Sequence, residues 1–307
     1  MGTIKPITGA GWLKDVNDNF GLLNNVNSGQ VYFVDGNAGL DTYGGTSWDD
    51  AFKSLAYAMA VSHANIAASS HGWAARNKIY VKMDQTADDD GEDLIILAQK
   101  TDIIGVGSVD HLQGARIIGN HVIGAGAYMG CRFVNMIFKC PAAGGDIFTI
   151  PTTTSGLTFE GCTFDATSTA AASGAIIAVA VESLTIKDCL FMGQFADSVI
   201  EIGAGASNSL LIQGNIIEGG EVGVEVLSTA TCAARAGRIL ENTINTTKEC
   251  IKESSGKFYV HNNTVVTGNA KGAAGAGAIV AGAKMMLQNH AAASDATGLI
   301  IPANASL

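Results

Sequence analysis

A six-residue pattern that recurs through the second half of the chain constrains the fold more than any other feature. It reads apolar, two variable residues, a small or amide residue, one variable residue, apolar. Successive copies begin 26, 27, 26, 27, 21 and 27 residues apart. A fixed period in the twenties indicates a solenoid, in which each repeat packs on its neighbours. The copies are Phe133–Phe138, Phe159–Phe164, Ile186–Phe191, Ile212–Ile217, Ile239–Ile244, Val260–Val265 and a degenerate Leu287–Ala292.

Each repeat also carries a second β-like run, and the 3.6-residue periodicity of helical repeats is absent. Short strands joined by Gly-, Ser- and Asn-rich turns predict an all-β parallel β-helix. Coils about 4.8 Å apart would extend the six repeat steps by roughly 29 Å. The second runs are Ile147–Ile150, Ile176–Val181, Val199–Ile202, Val222–Val226 and Gly277–Val280.

Within the motif, positions one, four and six are predicted to face inward, and positions two and five outward. Asparagines stacked at position four can bond to one another and to turn backbone groups, forming a structural ladder. The two cysteines on this line are interpreted as small buried fillers, with a catalytic nucleophile as the alternative. Position four holds Met136, Cys162, Cys189, Asn215, Asn242, Asn263 and His290.

Composition excludes several classes of protein. The chain has 307 residues, of which 47% are hydrophobic and 15% charged, with 38 Gly and 4 Pro. The chain is too hydrophobic for intrinsic disorder, which requires low hydrophobicity and high net charge. Its glycines show no three-residue period, so it is not a collagen. The net charge of −10 without a basic run argues against a nucleic-acid partner. The longest low-polarity stretch, 272–283, is too short to span a membrane.

The N-terminus lacks the layout of a signal peptide, so synthesis in a cytoplasm is expected. Six cysteines show no zinc-like spacing, and neither a metal nor a cofactor is expected. The acidic loop 88–93 misses the alternating ligands of an EF-hand. A solvated turn is favoured there over a calcium site.

Two helices are predicted before the repeats. Residues 10–25 form a short amphipathic helix, which either caps the open end of the solenoid or docks on a partner. A second helix begins with Ser47 as N-cap and Asp50 three residues later. Its apolar face would cover the exposed edge of the first coil. The apolar residues are Trp12, Leu13, Val16, Phe20 and Leu23 in the first helix, and Phe52, Leu55 and Met59 in the second.

Residues 78–123 are expected to form the first coils. Their strands are predicted at Ile79–Met83, Leu94–Leu97, Ile103–Ile104 and Ile117–Ile118. The chain therefore divides into an N-terminal anchoring arm (1–29), an initial strand with the capping helix and first coils (30–125), regular repeats (126–292) and a C-terminal tail (293–307).

The segment Tyr32–Gly36, the loop residues Gly39–Asp41 and Gly44–Thr46, and the pair Ala51–Phe52 resemble the opening segment of right-handed β-helix proteins of the pectate-lyase-like superfamily. With the repeats, the resemblance covers about residues 30–290. It implies a right-handed, single-stranded parallel β-helix. It does not specify an activity, because this fold carries lyases, hydrolases and inert virion spikes alike.

A hydrolase of this superfamily would require paired carboxylates on adjacent coils. A lyase would require acidic calcium ligands and a basic residue that abstracts a proton. The outward carboxylates Glu160, Asp188, Glu201 and Glu225 are predicted to lie at different positions of the coil and not to form a column. The Asn-Thr-Asp, Gly-Asp-Asp and Gly-His-Gly signatures of the hydrolases are missing. No catalytic residue is therefore assigned, and the protein is not expected to be an enzyme.

The segment Trp12–Leu23 resembles the short helix that opens many tailed-phage head and tail accessory proteins. This implies a structural protein of a bacteriophage virion, assembled in the host cytoplasm and attached through its N-terminal arm. A capsid decoration (cement) or head-fibre protein is favoured. The alternatives are a tail spike or receptor-binding protein and a polysaccharide-cleaving enzyme. The expected partners are the major capsid protein or another virion protein. The resemblance to phage β-helices, among which homotrimers are common, also implies a homotrimer, which the Gly/Ala-rich stretches fit.

Overall fold

The chain forms a parallel β-solenoid whose three main sheets run side by side. The computed structural model describes residues 29–69, 74–85, 91–107, 114–124, 126, 128–142, 144–150, 154–167, 172–179, 181–203, 205–206, 209–231, 237–255, 258–267, 279–281, 285–287, 290–291 and 301–302. All described strand pairs are parallel, and each strand pairs with its equivalent in the next coil. The predicted parallel β-helix is thus confirmed at the level of a β-solenoid.

Sheet A contains ten strands and extends over nine steps, or about 43 Å at 4.8 Å per step. Its strands are β1 (Val31–Asp35), β2 (Asn77–Lys82), β3 (Thr101–Gly105), β6 (Arg132–Val134), β9 (Thr154–Glu160), β12 (Val181–Lys187), β16 (Leu210–Gln213), β20 (Gly237–Leu240), β23 (Phe258–His261) and β26 (Met285–Leu287).

Sheets B and C contain eight strands each. Sheet B consists of β4 (Ala115–Ile118), β7 (Met136–Lys139), β10 (Thr163–Ala166), β13 (Leu190–Gly193), β17 (Ile216–Glu218), β21 (Thr243–Thr246), β24 (Thr264–Thr267) and β27 (His290–Ala291). Sheet C consists of β5 (His121–Val122), β8 (Phe148–Ile150), β11 (Ile176–Ala178), β14 (Ser198–Ile202), β18 (Val222–Val226), β22 (Ile251–Glu253), β25 (Ile279–Ala281) and β28 (Ile301–Pro302). A two-stranded sheet pairs β15 (Gly205–Ala206) with β19 (Ala230–Thr231).

The repeated motif forms the corner between sheets A and B. In all six regular copies, positions one, four and six are buried, as predicted. Position five is buried in the first two copies, at Ile137 and Thr163, where an outward side chain was expected. Position three has a left-handed backbone in every copy, with φ between 53° and 67°. Its residues are Asn135, Gly161, Asp188, Gly214, Glu241 and Asn262, mostly types that tolerate this conformation.

The core changes character along the solenoid. In the coils that contain the first three motif copies, which we call the aromatic half, phenylalanines occupy most inward positions and stack across coils. The rings of Phe133 and Phe159 lie 5.4 Å apart, and those of Phe164 and Phe191 lie 4.6 Å apart. In the next three copies, the amide half, the same positions hold Ile212, Ile217, Ile239, Ile244, Val260 and Val265, all buried.

Helix α1 (Leu55–Ala68) packs on β1 and β2 and is the one helix longer than a single turn among the described residues. The prediction that Ser47 caps it is wrong, because Ser47 precedes a 3-10 turn at Trp48–Asp50 and makes no side-chain cap bond. Ser54 is the N-cap and accepts a hydrogen bond from the backbone N–H of Tyr57.

Two carboxylates explain why α1 begins at Leu55. Glu92 accepts the backbone N–H groups of Leu55 and Ala56, each at 3.0 Å. Asp41 accepts those of Lys53 and Ser54, each at 2.9 Å. Negative side chains satisfy and stabilise a helix N-terminus. Both acceptors lie far from the helix in sequence, so local pattern alone did not locate this start.

Three further predictions concern the strand at Leu94–Leu97, the helix at 10–25 and the C-terminal tail. Leu94–Leu97 is not a strand, although Leu94 and Leu97 are buried beneath the first coils. The helix predicted at 10–25 lies outside the described residues, as does the C-terminal tail apart from Ile301–Pro302.

Candidate functional site

The outer face of sheet C carries a column of charged side chains on adjacent coils. Strand pairing aligns Glu201 with Glu225, and Glu225 with Lys252. The prediction that the outward carboxylates form no column is therefore wrong for Glu201 and Glu225. They are 24 residues apart, while the motif advances by 26 over the same step. Counted from the paired sheet-B residues Met192 and Glu218, the chain to the glutamate is two residues shorter in the second coil, which brings the two glutamates into register.

We call Glu201, Glu225 and Lys252 the acidic column. Within it, Glu225 is held in place by two hydrogen bonds to its side chain. Its side chain is largely buried and accepts hydrogen bonds from Lys252 Nζ, at 2.6 Å, and from Ser198 Oγ. Burial opposes ionisation, but these two hydrogen bonds and the positive charge of Lys252 outweigh it. The pKa of the Glu225 carboxyl is consequently lowered. Glu225 is thus held as a carboxylate.

The pKa of the neighbouring Glu201 is shifted in the opposite direction. Burial raises the pKa of its carboxyl, and the negative charges of Glu225, Asp197 and Asp146 raise it further. The pKa of Asp146 is also raised, by burial and by Asp197. The column therefore combines a carboxylate held ionised with neighbours that retain a proton more readily, which is the arrangement that acid–base pairs use.

The position-four ladder is a continuous hydrogen-bonded line in the amide half. The side-chain oxygen of Asn242 accepts two hydrogen bonds from Asn215, one from the backbone N–H at 3.0 Å and one from the side-chain amide at 2.9 Å. Asn263 accepts the same two groups from Asn242. Each side-chain amide also donates to the position-one carbonyl of the preceding coil, as Asn215 does to Ile186 at 3.0 Å. Every bond satisfies a buried polar group of the corner.

Cys162 and Cys189 continue this line into the aromatic half. The backbone N–H of Cys189 donates to the side-chain oxygen of Asn215 at 2.9 Å. The thiol of Cys162 lies 3.5 Å from the carbonyl of Phe133, which corresponds to the carbonyl that the asparagines contact. Burial raises the pKa of the Cys189 thiol, as does its contact with Cys162. A thiol held protonated is a poor nucleophile, which favours the interpretation of Cys189 as a filler.

The other cysteines that the structure describes, Cys131, Cys140 and Cys250, are also buried. Cys232 lies outside the described residues. Within the described ranges, no three His, Cys, Asp or Glu side chains lie close enough together to hold a metal ion. In the acidic loop, Gly91, Glu92 and Asp93 are described. Glu92 caps α1, a role that the sequence did not indicate.

A polar cavity of about 360 Å³ lies between the start of α1 and the end of β2. Burial raises the pKa of Glu92 on its wall, although the N–H groups of Ala56 and Leu55 act in the opposite direction. The carboxylate of Glu92 already accepts two backbone N–H groups at the start of α1, so on this wall of the cavity it has the structural role of a helix cap. Its lining residues are Gly36, Asn37, Lys53, Ser54, Met83, Asp84, Gln85, Gly91 and Glu92.

The predicted arm residues Trp12, Leu13, Val16, Phe20 and Leu23 lie outside the described part of the chain, so their role stays a prediction. No helix among the described residues is long and apolar enough to cross a membrane. Comparison with known proteins identifies no matching family model, no matching curated protein and no matching solved structure.

Proposed function

We propose that this protein is a non-enzymatic structural protein of a bacteriophage virion, as a capsid decoration (cement) or head-fibre protein held by its N-terminal arm. The observation that carries this proposal is that side chains on successive coils bind one another and so stiffen the rod. Arg76 Nε donates to Asp102 at 3.0 Å, and Arg132 lies 3.5 Å from the same carboxylate. Further along the rod, Lys248 pairs with Glu221.

The junction with the arm also supports this role. The backbone N–H of Gln30 donates to the side-chain oxygen of Asn77 at 2.6 Å, which fixes the chain to β2 immediately after the arm. A partner bound by residues 1–28 would therefore be coupled to a rigid first coil. Such a junction suits a rod displayed from a particle surface.

The experiment that tests this proposal is co-sedimentation of the full chain with separately purified capsids and tails. Binding to capsids is expected. A Phe20→Ser/Leu23→Ser variant should lose it, while the control Asn17→Ser/Asn19→Ser should retain it. Binding to tails alone would favour the tail-spike alternative. If a chain lacking residues 1–28 still binds capsids, the arm is not the attachment site. The proposed homotrimer is tested separately by sedimentation equilibrium.

The acidic column favours one second candidate, a polysaccharide-cleaving enzyme. Glu225 would act as the base and Glu201 as the proton donor, since their pKa values are shifted in opposite directions. The test is turnover on a panel of acidic and neutral polysaccharides, for which our structural proposal predicts none. Cleavage that is lost in Glu225→Gln and kept in Glu218→Gln, an exposed carboxylate outside the column, would make the enzyme the correct assignment. Cleavage that depends on Glu160 or Asp188 would equally overturn the structural proposal.

A further inference from the structure

An apolar stripe crosses the outward face of sheet A over its first four strands. Strand pairing places Phe33 beside Tyr80, Tyr80 beside Ile104, and Ile104 beside Val134. Trp48 extends the stripe by packing on Phe33, with ring centroids 4.9 Å apart. These five residues, which we call the apolar stripe, form a connected aromatic and aliphatic surface on the outside of the solenoid.

The stripe is accessible and confined to the first coils. Trp48 is 41% exposed, and the other four residues are partly exposed. The next residues along the same row are Glu160 and Lys187, so the row is charged at the fifth and sixth strands. A contiguous apolar surface rimmed by polar residues is typical of a docking site.

The N-terminal segment joins the described chain on the same sheet. Gly29 has φ 71°, and a Cβ at this position would lie 2.2 Å from the carbonyl oxygen of Arg76. Only glycine therefore fits this close approach to the residue that precedes β2. Gly29 lies two residues before β1, the edge strand of sheet A, which carries Phe33, and the adjacent β2 carries Tyr80. A segment that ends at Gly29 is therefore within reach of the stripe.

The predicted helix matches the stripe in length and chemistry. From Trp12 to Leu23 an α-helix would measure about 17 Å, and the three strand steps from Phe33 to Val134 span about 14 Å. The five residues between Leu23 and Gly29 can bridge about 17 Å when extended. The segment thus has an apolar face of suitable length and a connection long enough to fold back.

We propose that residues 10–25 pack their apolar face, formed by Trp12, Val16, Phe20 and Leu23, on the apolar stripe of the same chain. The arm residues are then sheltered in the free protein and leave the stripe when they bind a particle. This contact shares the arm with the proposed function but does not rest on the identity of the particle.

Acrylamide quenching of Trp48 tests the contact in the full-length protein. Trp12→Phe and Trp73→Phe leave Trp48 as the single tryptophan and keep the helix apolar. Adding Val16→Asp and Phe20→Asp should raise the quenching constant about twofold, because the segment then releases the stripe. Asn17→Asp and Asn25→Asp add the same charge away from the apolar face and should leave quenching unchanged. Equal quenching in all three proteins would overturn the proposal.

A variant on the stripe provides the complementary test. Ile104→Glu should expose Trp48 in the same way, while Leu211→Glu, a partly exposed residue farther along the same face, should not. Quenching that falls as protein concentration rises would show that a second copy covers the stripe, and would overturn the intramolecular contact. These measurements use the isolated protein, so failure to bind capsids would contradict the proposed function and leave this result standing.

Discussion

The aromatic half and the amide half of the solenoid use the same corner geometry with different chemistry. In both halves, position three has a left-handed backbone and position four points into the core. The aromatic half fills the corner with Cys162 and Cys189 beneath stacked rings, whereas the amide half connects Asn215, Asn242 and Asn263 by hydrogen bonds. The comparison shows that a coil can be held in register either by side-chain volume or by satisfied polar groups.

The two solutions have different weaknesses. Stacked rings lose stability in proportion to the cavity that a smaller side chain leaves. A buried amide ladder fails when one member is removed, because its partners then remain buried without acceptors or donors. Substitutions at equivalent motif positions should therefore separate the two halves.

The largest expected effect is at Phe164, whose ring stacks between Phe138 at 5.4 Å and Phe191 at 4.6 Å. Phe164→Ala should lower the free energy of unfolding by about 4 kcal/mol, measured by urea denaturation. Phe164→Leu is the control and should cost clearly less, because it keeps most of the volume. Equal losses for the two variants would show that packing volume does not stabilise the aromatic half.

In the amide half, Asn242→Ala should cost about 3 kcal/mol, because it removes partners from Asn215 and Asn263 and from the carbonyl of Ile212. The same truncation at the equivalent position of the aromatic half, Cys189→Ala, should cost about 1 kcal/mol. Thr243→Ala, at the exposed neighbouring position, is the control in urea denaturation. Similar losses for Asn242→Ala and Cys189→Ala would contradict the distinction between the halves.

Acid should weaken the solenoid at the start of the aromatic half through His121, which lies on the preceding coil and is buried against Phe138 and Phe148. Its Nδ1 accepts the backbone N–H of Leu94 at 3.2 Å, and burial lowers the pKa of this histidine to about 3. As the pH falls, His121 takes up a proton near pH 6.5 in the unfolded state but only near pH 3 in the folded state. The stabilisation is therefore complete above pH 6.5 and is lost as the pH falls towards 3, by about 1.4 kcal/mol per pH unit.

The measurement is the free energy of unfolding from pH 7 to pH 4.5 for the wild type and for His121→Gln. Glutamine can still accept the N–H of Leu94 but does not titrate. The carboxyl groups titrate in both proteins, so the difference between the two curves isolates His121. Parallel curves would show that this histidine is not buried in its neutral form.

The smallest effect is expected at the boundary between the halves. Cys189→Asn would extend the ladder by one coil, with its amide placed to donate to the carbonyl of Phe159 as Asn215 does to Ile186. Stability should change by less than about 1 kcal/mol, while the reverse exchange Asn215→Cys should cost about 2 kcal/mol. If the two exchanges cost the same in thermal unfolding, position four does not distinguish the halves.

Much of the fold could be read from local pattern. Alternation of inward and outward residues is dictated by strand geometry, so the buried positions of the six motif copies followed from the residues themselves. The left-handed corner also has a sequence signal, since position three holds Asn, Gly, Asp, Gly, Glu and Asn, but a pattern defined by its apolar positions leaves this position variable. The start of α1 had no local signal, because Glu92 and Asp41 reach it from distant segments.

The sequence by itself determined the repeat, its inward face and the position-four line, because a fixed repeat returns the same motif position to the same corner in every coil. Only the tertiary structure decided which outward side chains meet across coils. Glu201 aligns with Glu225 because the chain between sheets B and C is shorter in the second coil, whereas Glu225 aligns with Lys252 because that length is kept in the next coil. Phe33, Tyr80, Ile104 and Val134 lie outside the regular repeats, and only strand pairing brings them together. Cross-coil register is set by loop length and sheet pairing, which no single motif copy contains.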